Sequence, residues 1–179
     1  MAFSYMRIND RYLTPKDVFY ACEKGLRYGP SEKILYEYKK DFNNVIVVGK
    51  YKNGLSIIQT QRKMFGLWGI APGYITGFRQ PRENQNIVFY INQDYSIAFG
   101  RVTNKDVKTV NIAAYLRNEE TYEIDINNKV FEKEIDVDEE GFFKVEEVIN
   151  MYNDNIDTPY LFEINGLDSL KNIVEEAEF

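Results

Sequence analysis

The chain contains no histidine and only one cysteine, Cys22. The missing imidazole excludes Ser-His-Asp and Cys-His catalysis and every metal site that needs a histidine ligand. A lone cysteine excludes an internal disulfide and favours a reducing compartment. The longest uncharged segment, residues 64–78, is too short to span a bilayer and is broken by glycines and Pro72. We therefore expect a cytoplasmic protein that contacts no membrane and holds no metal ion or cofactor.

Positive charge is scarce in the last third of the chain. Residues 1–117 carry 18 Lys and Arg against 9 Asp and Glu, a net charge of +9, whereas residues 118–179 carry 4 against 19, a net charge of −15. Such an asymmetry is typical of proteins with charged partners, or of two halves that dock on each other. It predicts a basic α+β core, residues 1–117, and an acidic C-terminal subdomain, residues 118–179, within the length of one compact domain.

Local patterns predict an α+β fold. Thr14-Pro15 is typical of a helix start and Ser31 of a second one, so we expect two N-terminal helices. Alternating apolar residues around turn residues predict three hairpins, which join 45–50 to 55–60 through Asn53-Gly54, 86–92 to 95–103, and 121–126 to 130–137 through Asn127-Asn128. Further strands are predicted over 108–116 and 160–164, and helical spacing predicts two C-terminal helices over 142–152 and 167–177. The predicted architecture is an antiparallel sheet built from hairpins, with two helices at each end of the chain.

A row of carboxylates is the first candidate site. Acidic residues alternate with Phe131, Ile135 and Val137 in the second strand of the third hairpin, and alternate likewise in its first strand. Side chains on one face of a strand lie about 6.8 Å apart, a spacing of the same order as that of phosphates along a nucleic-acid strand. A solvated strand face explains the same pattern. The predicted acidic face comprises Glu123, Asp125, Glu132, Glu134, Asp136 and Asp138.

The basic half contains a second candidate site. Aromatic and Arg side chains on an exposed sheet can stack on bases and neutralise phosphates. A core of aromatic residues with a solvated basic rim explains the same composition. The predicted nucleic-acid-binding residues are Arg62, Lys63, Arg79, Arg82, Tyr95, Phe99 and Arg101.

Residues 136–147 resemble an EF-hand loop. Acidic residues occupy the first, third, fifth and twelfth positions, and Gly141 occupies the sixth. The segment before them alternates like a strand, however, whereas an EF-hand needs a helix there. A turn between a strand and a helix explains Gly141 equally well, so no metal ligand is predicted.

The sequence contains no catalytic motif, which favours a binding protein over an enzyme. We expect the acidic surface to engage a basic protein partner, in particular a nucleic-acid enzyme. An inhibitor of a bacterial defence nuclease, encoded by a phage or a mobile element, fits the size, charge and composition. Direct nucleic-acid binding by the basic half, with the acidic part as a lid, is the alternative function, and a carboxylate-based enzyme is a third.

Overall fold

The structure is a computed structural model and describes residues 12–71, 77–83, 85–92, 97–117, 124–146 and 160–178. The chain divides into two compact units, Met1–Gln80 and Pro81–Phe179. The first unit carries 13 Lys and Arg against 6 Asp and Glu, and the second carries 9 against 22. Their net charges are therefore +7 and −13.

The first unit is built on a five-stranded antiparallel sheet. Its strands follow the order β1-β2-β3-β4, and β5 also pairs with β3. The hairpin predicted around Asn53-Gly54 is confirmed, but Tyr51 pairs with Gly54, so Lys52 and Asn53 form the loop. The elements are α1 (Pro15–Gly25), β1 (Lys33–Lys39), β2 (Asn44–Tyr51), β3 (Gly54–Arg62), a short 3-10 turn (Met64–Gly66), β4 (Trp68–Ile70) and β5 (Gly77–Arg79).

Helix α1 packs on β2, β3 and β4 and closes the core of the first unit. Its start is fixed by a capping box, in which the Thr14 hydroxyl accepts the Asp17 N–H and the Asp17 carboxylate accepts the Thr14 N–H. Phe19 and Cys22 are buried on its inner face. The first predicted helix is thus confirmed.

The second predicted N-terminal helix is wrong, because residues 33–39 form strand β1. Its apolar residues fit a strand as well as a helix, and the pairing with β2 decides between the two. Ser31 caps no helix. Instead, its N–H and its hydroxyl donate to the buried carboxylate of Glu23, at 2.9 and 2.5 Å.

The second unit contains two antiparallel sheets. One has the strand order β10-β7-β6 and the other the order β12-β11-β8-β9. The hairpin of β6 and β7 and the predicted strands around 108–116 and 160–164 are confirmed. The strands are β6 (Ile87–Asn92), β7 (Ile97–Val102), β8 (Thr109–Arg117), β9 (Ile124–Asp136), β10 (Phe142–Glu146), β11 (Tyr160–Leu167) and β12 (Ile173–Glu178).

One apolar cluster joins both sheets of the second unit. Val110, Ile112 and Ala114 of β8 meet Phe143 of β10 and Ile164 of β11 there. Phe131, Ile135 and Val137 pack against the same cluster from β9 and the residue after it. The apolar residues of this segment therefore point towards the core, and the acidic residues that alternate with them point away from it.

Both predicted C-terminal helices are wrong. Residues 142–146 form strand β10, and the rest of the first predicted helix lies outside the described residues. Residues 173–178 form strand β12, which follows a turn held by the Asp168 carboxylate. That carboxylate accepts the backbone N–H groups of Leu170 and Asn172 at 2.8 and 2.9 Å, so local side-chain bonding replaces a helical turn.

The third predicted hairpin is also wrong, because residues 124–136 form the single strand β9. Tyr115 of β8 pairs with Lys129, and Arg117 pairs with Ile124. The intervening residues of β9, including Asn127-Asn128, form an irregularity in the strand instead of a turn. Pairing with β8 on one side thus prevails over the local turn preference of Asn127-Asn128.

The predicted α+β fold class is contradicted, since the described residues form a mostly antiparallel β structure with a single α-helix. Within the described ranges, no helix is both long enough and apolar enough to cross a lipid bilayer. The second unit owes its fold to strand pairing, and that pairing determines which side chains share a surface.

Candidate functional site

The outer face of the four-stranded sheet carries most of the described acidic strand residues. Paired residues of antiparallel strands project on the same side, so the register defines rows across the sheet. One row runs from Glu134 through Asn111 and Asn165 to Glu176, and the adjacent row contains Glu132, Ala113 and Glu163. Asp136 begins a third row, next to Thr109. We call Glu132, Glu134, Asp136, Glu163 and Glu176 the acidic face.

The acidic face is open to solvent. All of its members are exposed except Glu163, which is half-buried. Neighbouring strands lie about 4.8 Å apart, and same-face residues along a strand lie about 6.8 Å apart. The opposite side of the same strands holds the apolar cluster, so the alternation of polar and apolar residues fixes the orientation of the carboxylates.

Two lysines neutralise part of the acidic face. Lys129 lies 3.0 Å from Glu132, and Lys171 lies 2.6 Å from Glu134. The hydrogen bond from Lys129, followed by one from Asn111, lowers the pKa of Glu132, and the contact with Glu132 raises the pKa of Lys129. Because these ion pairs are exposed, each contributes little to stability. Five carboxylates against two ammonium groups leave an excess of three negative charges.

Hydrogen bonds fix Glu163 at the centre of the face. Its Oε1 atom accepts the side-chain N–H of Asn165 at 2.7 Å. Burial raises the pKa of the Tyr115 hydroxyl, and the charge of Glu163 and its hydrogen bond to Tyr115 raise it further. Asp136 and Glu176 make no side-chain hydrogen bond or ion pair with other described residues, so their carboxylates are available to a partner.

The structure brings only some of the six predicted acidic residues together on one strand. Glu132, Glu134 and Asp136 lie together on β9 as predicted. Asp138 lies beyond the strand, where its carboxylate accepts the N–H groups of Glu140 and Phe142 at 2.8 and 2.9 Å. Glu123 lies outside the described residues, and so does the side chain of Asp125.

The loop that resembles an EF-hand is a turn between β9 and β10. Asp138 closes it, and Gly141 adopts a φ of +77° at a point where any side chain would overlap the carbonyl of Val102. The second half of the segment, Phe142–Glu146, forms strand β10, whereas an EF-hand loop leads into a helix. In the part of the chain that the structure describes, no group of three or more Cys, Asp or Glu residues is arranged to hold a metal ion.

The structure does not gather the predicted basic and aromatic residues into one described surface. Phe99 is fully buried, and Arg101 is 7% exposed and donates from Nε to the carbonyl of Glu140 at 3.1 Å. Neither side chain therefore offers a surface to a base. Arg79 and Arg82 are exposed but belong to different units, and Tyr95 lies outside the described residues. Arg62 and Lys63 lie at the end of β3 and directly after it, where the Lys63 ammonium donates to Gln61.

The predicted acidic face does not include Glu163 and Glu176. The alternation of Phe162 and Ile164 with Glu163 and Asn165 carried a signal for Glu163. Glu176 was assigned to a helix, and its place beside Asn165 follows only from the pairing of β11 with β12.

Relatives offer no independent view of the acidic face. Comparison with protein-family models, curated proteins and solved structures found no match to this chain.

Proposed function

We propose that the protein is a non-enzymatic binding protein whose acidic face engages a basic surface of a partner protein, in particular the nucleic-acid groove of a nucleic-acid enzyme. The observation that supports this most directly is the excess of carboxylates on one exposed sheet face. Along β9 the carboxylates of Glu132, Glu134 and Asp136 repeat about every 6.8 Å, a spacing of the same order as that between phosphates. Competition for the groove is therefore both steric and electrostatic.

Exposed apolar residues next to the acidic face support binding to a protein. Leu170, Ile173 and Val174 are 79%, 52% and 39% exposed, and they lie in the turn before β12 and in its first residues. Surface charge mainly accelerates association, whereas buried apolar contacts supply much of the affinity. The combination of a charged face with an apolar rim fits this division of roles.

The test compares two variants with equal losses of charge. The first neutralises exposed members of the acidic face, with Glu134→Gln, Asp136→Asn and Glu176→Gln. The control neutralises three exposed carboxylates of the same unit outside the face, with Glu83→Gln, Asp106→Asn and Glu139→Gln. Asp138 is left intact because it holds the turn before β10.

Both variants and the wild-type chain serve as baits in a nuclease-treated bacterial lysate. We expect the wild type and the control to retain the same basic protein, the acidic-face variant to lose it, and added duplex DNA to compete for it. Equal retention by both variants, or capture that depends on endogenous nucleic acid, contradicts the proposal. Thermal unfolding checks that all three proteins are folded.

A further inference from the structure

A cleft of about 520 Å³ opens in the first unit between the start of α1 and the ends of β1, β3 and β4. Its size lies within the range of small-molecule sites. Three cationic and two aromatic side chains contribute to its lining, namely Lys16, Lys39, Arg62, Phe42 and Trp68. The cleft belongs to the basic unit and does not depend on the acidic face.

The carboxylates in the cleft are already engaged. Glu37 pairs with Lys16, with 3.0 Å between Oε1 and Nζ. The Asp41 carboxylate accepts the backbone N–H groups of Asn43 and Asn44 at 2.7 and 2.9 Å. The hydrogen bond from the Asn44 side chain lowers the pKa of Asp41 most, and these backbone hydrogen bonds lower it further. Both acidic side chains therefore satisfy local donors.

Two cations in the cleft have no carboxylate partner among the residues that the structure describes. Lys39 and Arg62 form no ion pair with other described residues. The Arg62 guanidinium lies over the Phe42 ring, with 4.1 Å between Cζ and the ring centroid, and a side chain at Gly66 would come within 3.2 Å of it. Arg62 is thus positioned by its contact with an aromatic ring and has space beside it because residue 66 is a glycine, and this positioning reduces the entropy that it loses when it binds an anion.

The aromatic residues provide a surface for a planar ring. Phe42 is 76% exposed, and Trp68 is half-buried, with packing contacts to the core cluster of the first unit. The adjacent helix start is closed by the Thr14 capping box, so an anion would be held by side chains and not by the helix end. Aromatic surface beside unpaired cations is the combination by which proteins stack a base and neutralise its phosphate.

We propose that this cleft binds a nucleoside phosphate, either free or at the end of a nucleic-acid strand. Arg62 and Lys39 contact the phosphate, and the aromatic residues contact the base. Because Arg presents a planar fork of donors, it is the principal contact to the phosphate oxygens.

Trp68 is the only tryptophan of the chain, so its fluorescence reports directly on the cleft. The full chain is titrated with adenosine monophosphate, with adenosine, and with a short single-stranded oligonucleotide, under selective excitation of tryptophan. We expect saturable quenching by a phosphate-bearing probe and at least tenfold weaker binding of adenosine. Quenching by the oligonucleotide alone supports the site and identifies a strand as the ligand, whereas quenching by the mononucleotide identifies a free nucleotide.

Substitutions that each neutralise one cation test the proposed contacts to the phosphate. Arg62→Gln and Lys39→Gln are each expected to weaken binding roughly 10- to 100-fold, the effect of removing a charged hydrogen-bond partner. Lys33→Gln is the matched control, because it removes one charge from the same strand as Lys39 but does not line the cleft. It is expected to change the affinity less than twofold.

Three results would overturn the proposal. These are the absence of quenching with both phosphate-bearing probes, equal binding of adenosine and its monophosphate, and equal effects of Lys33→Gln and Arg62→Gln. Unchanged thermal unfolding of each variant confirms that the comparison concerns binding and not folding.

Discussion

Individual carboxylates on the acidic face differ in the hydrogen bonds that they accept from neighbouring side chains. Glu132 accepts hydrogen bonds from Lys129 and Asn111, and Glu163 accepts one from Asn165. Asp136 and Glu176 depend on no described side chain. Their replacement should therefore affect a partner more than it affects the fold, whereas the loss of Asp138 deprives the backbone N–H groups of Glu140 and Phe142 of their acceptor in a turn.

The ion pair of Lys129 with Glu132 predicts a specific pH dependence. Because the pKa of Glu132 is lowered in the folded protein, its contribution to stability is present above the ordinary pKa of a glutamate and is lost as the pH falls through the folded pKa. We expect Lys129→Gln to move the Glu132 pKa up towards the ordinary value and to reduce this loss of stability in acid. Carboxyl chemical shifts followed by NMR give the pKa, and an unchanged Glu132 titration in the variant contradicts the prediction.

Secondary structure was predictable where local chemistry decides it. The capping box at Thr14 and the hairpins of β2-β3 and β6-β7 depend on neighbours in sequence, and the sequence predicted them. The C-terminal segments were not predictable in this way, because apolar spacing in a short window fits both periods. Alternation also placed Glu132, Glu134 and Asp136 on one face. The strand order that adds Glu163 and Glu176 arises from contacts distant in sequence.

The pairing of β7 with β10 requires a glycine, which has no side chain, at residue 100. Gly100 pairs with Phe143, whose buried ring occupies the space that a Cβ atom at residue 100 would need. We expect Gly100→Ala to lower the free energy of unfolding by about 1–3 kcal/mol, the usual effect of overpacking a core. Chemical denaturation measures the change. In the background of Phe143→Leu the effect should shrink, so additive losses would contradict this origin of the destabilisation.

At the scale of the whole molecule, the two units carry opposite net charges, +7 and −13, although the boundary between them lies after residue 80 and not after residue 117. Each unit has its own described apolar cluster, with Phe19, Val47 and Ile58 in the first and Ile112, Phe143 and Ile164 in the second. The predicted boundary after residue 117 would separate β8 from both of its partner strands, β9 and β11.

We therefore expect residues 1–80 and 81–179 to fold as separate fragments, whereas residues 1–117 and 118–179 should not both do so. Fragments cut after residue 80 keep every described strand pair, whereas fragments cut after residue 117 lose three, β7 with β10, β8 with β9 and β8 with β11. Circular dichroism and the cooperativity of thermal unfolding distinguish the outcomes. Cooperative folding of both fragments from the second cut would favour the sequence-based division.

The strand order of the acidic sheet has a consequence for solubility. Among the described strands, β9 and β12 are its two edges, and both carry exposed carboxylates, Glu132 and Glu134 on one and Glu176 on the other. Charged edge strands prevent sheets of different molecules from joining through their open hydrogen-bonding groups. The same residues that are proposed to attract a basic partner thus keep copies of this protein apart. Neutralisation of these charges, in the variant designed to test partner binding, would remove that protection.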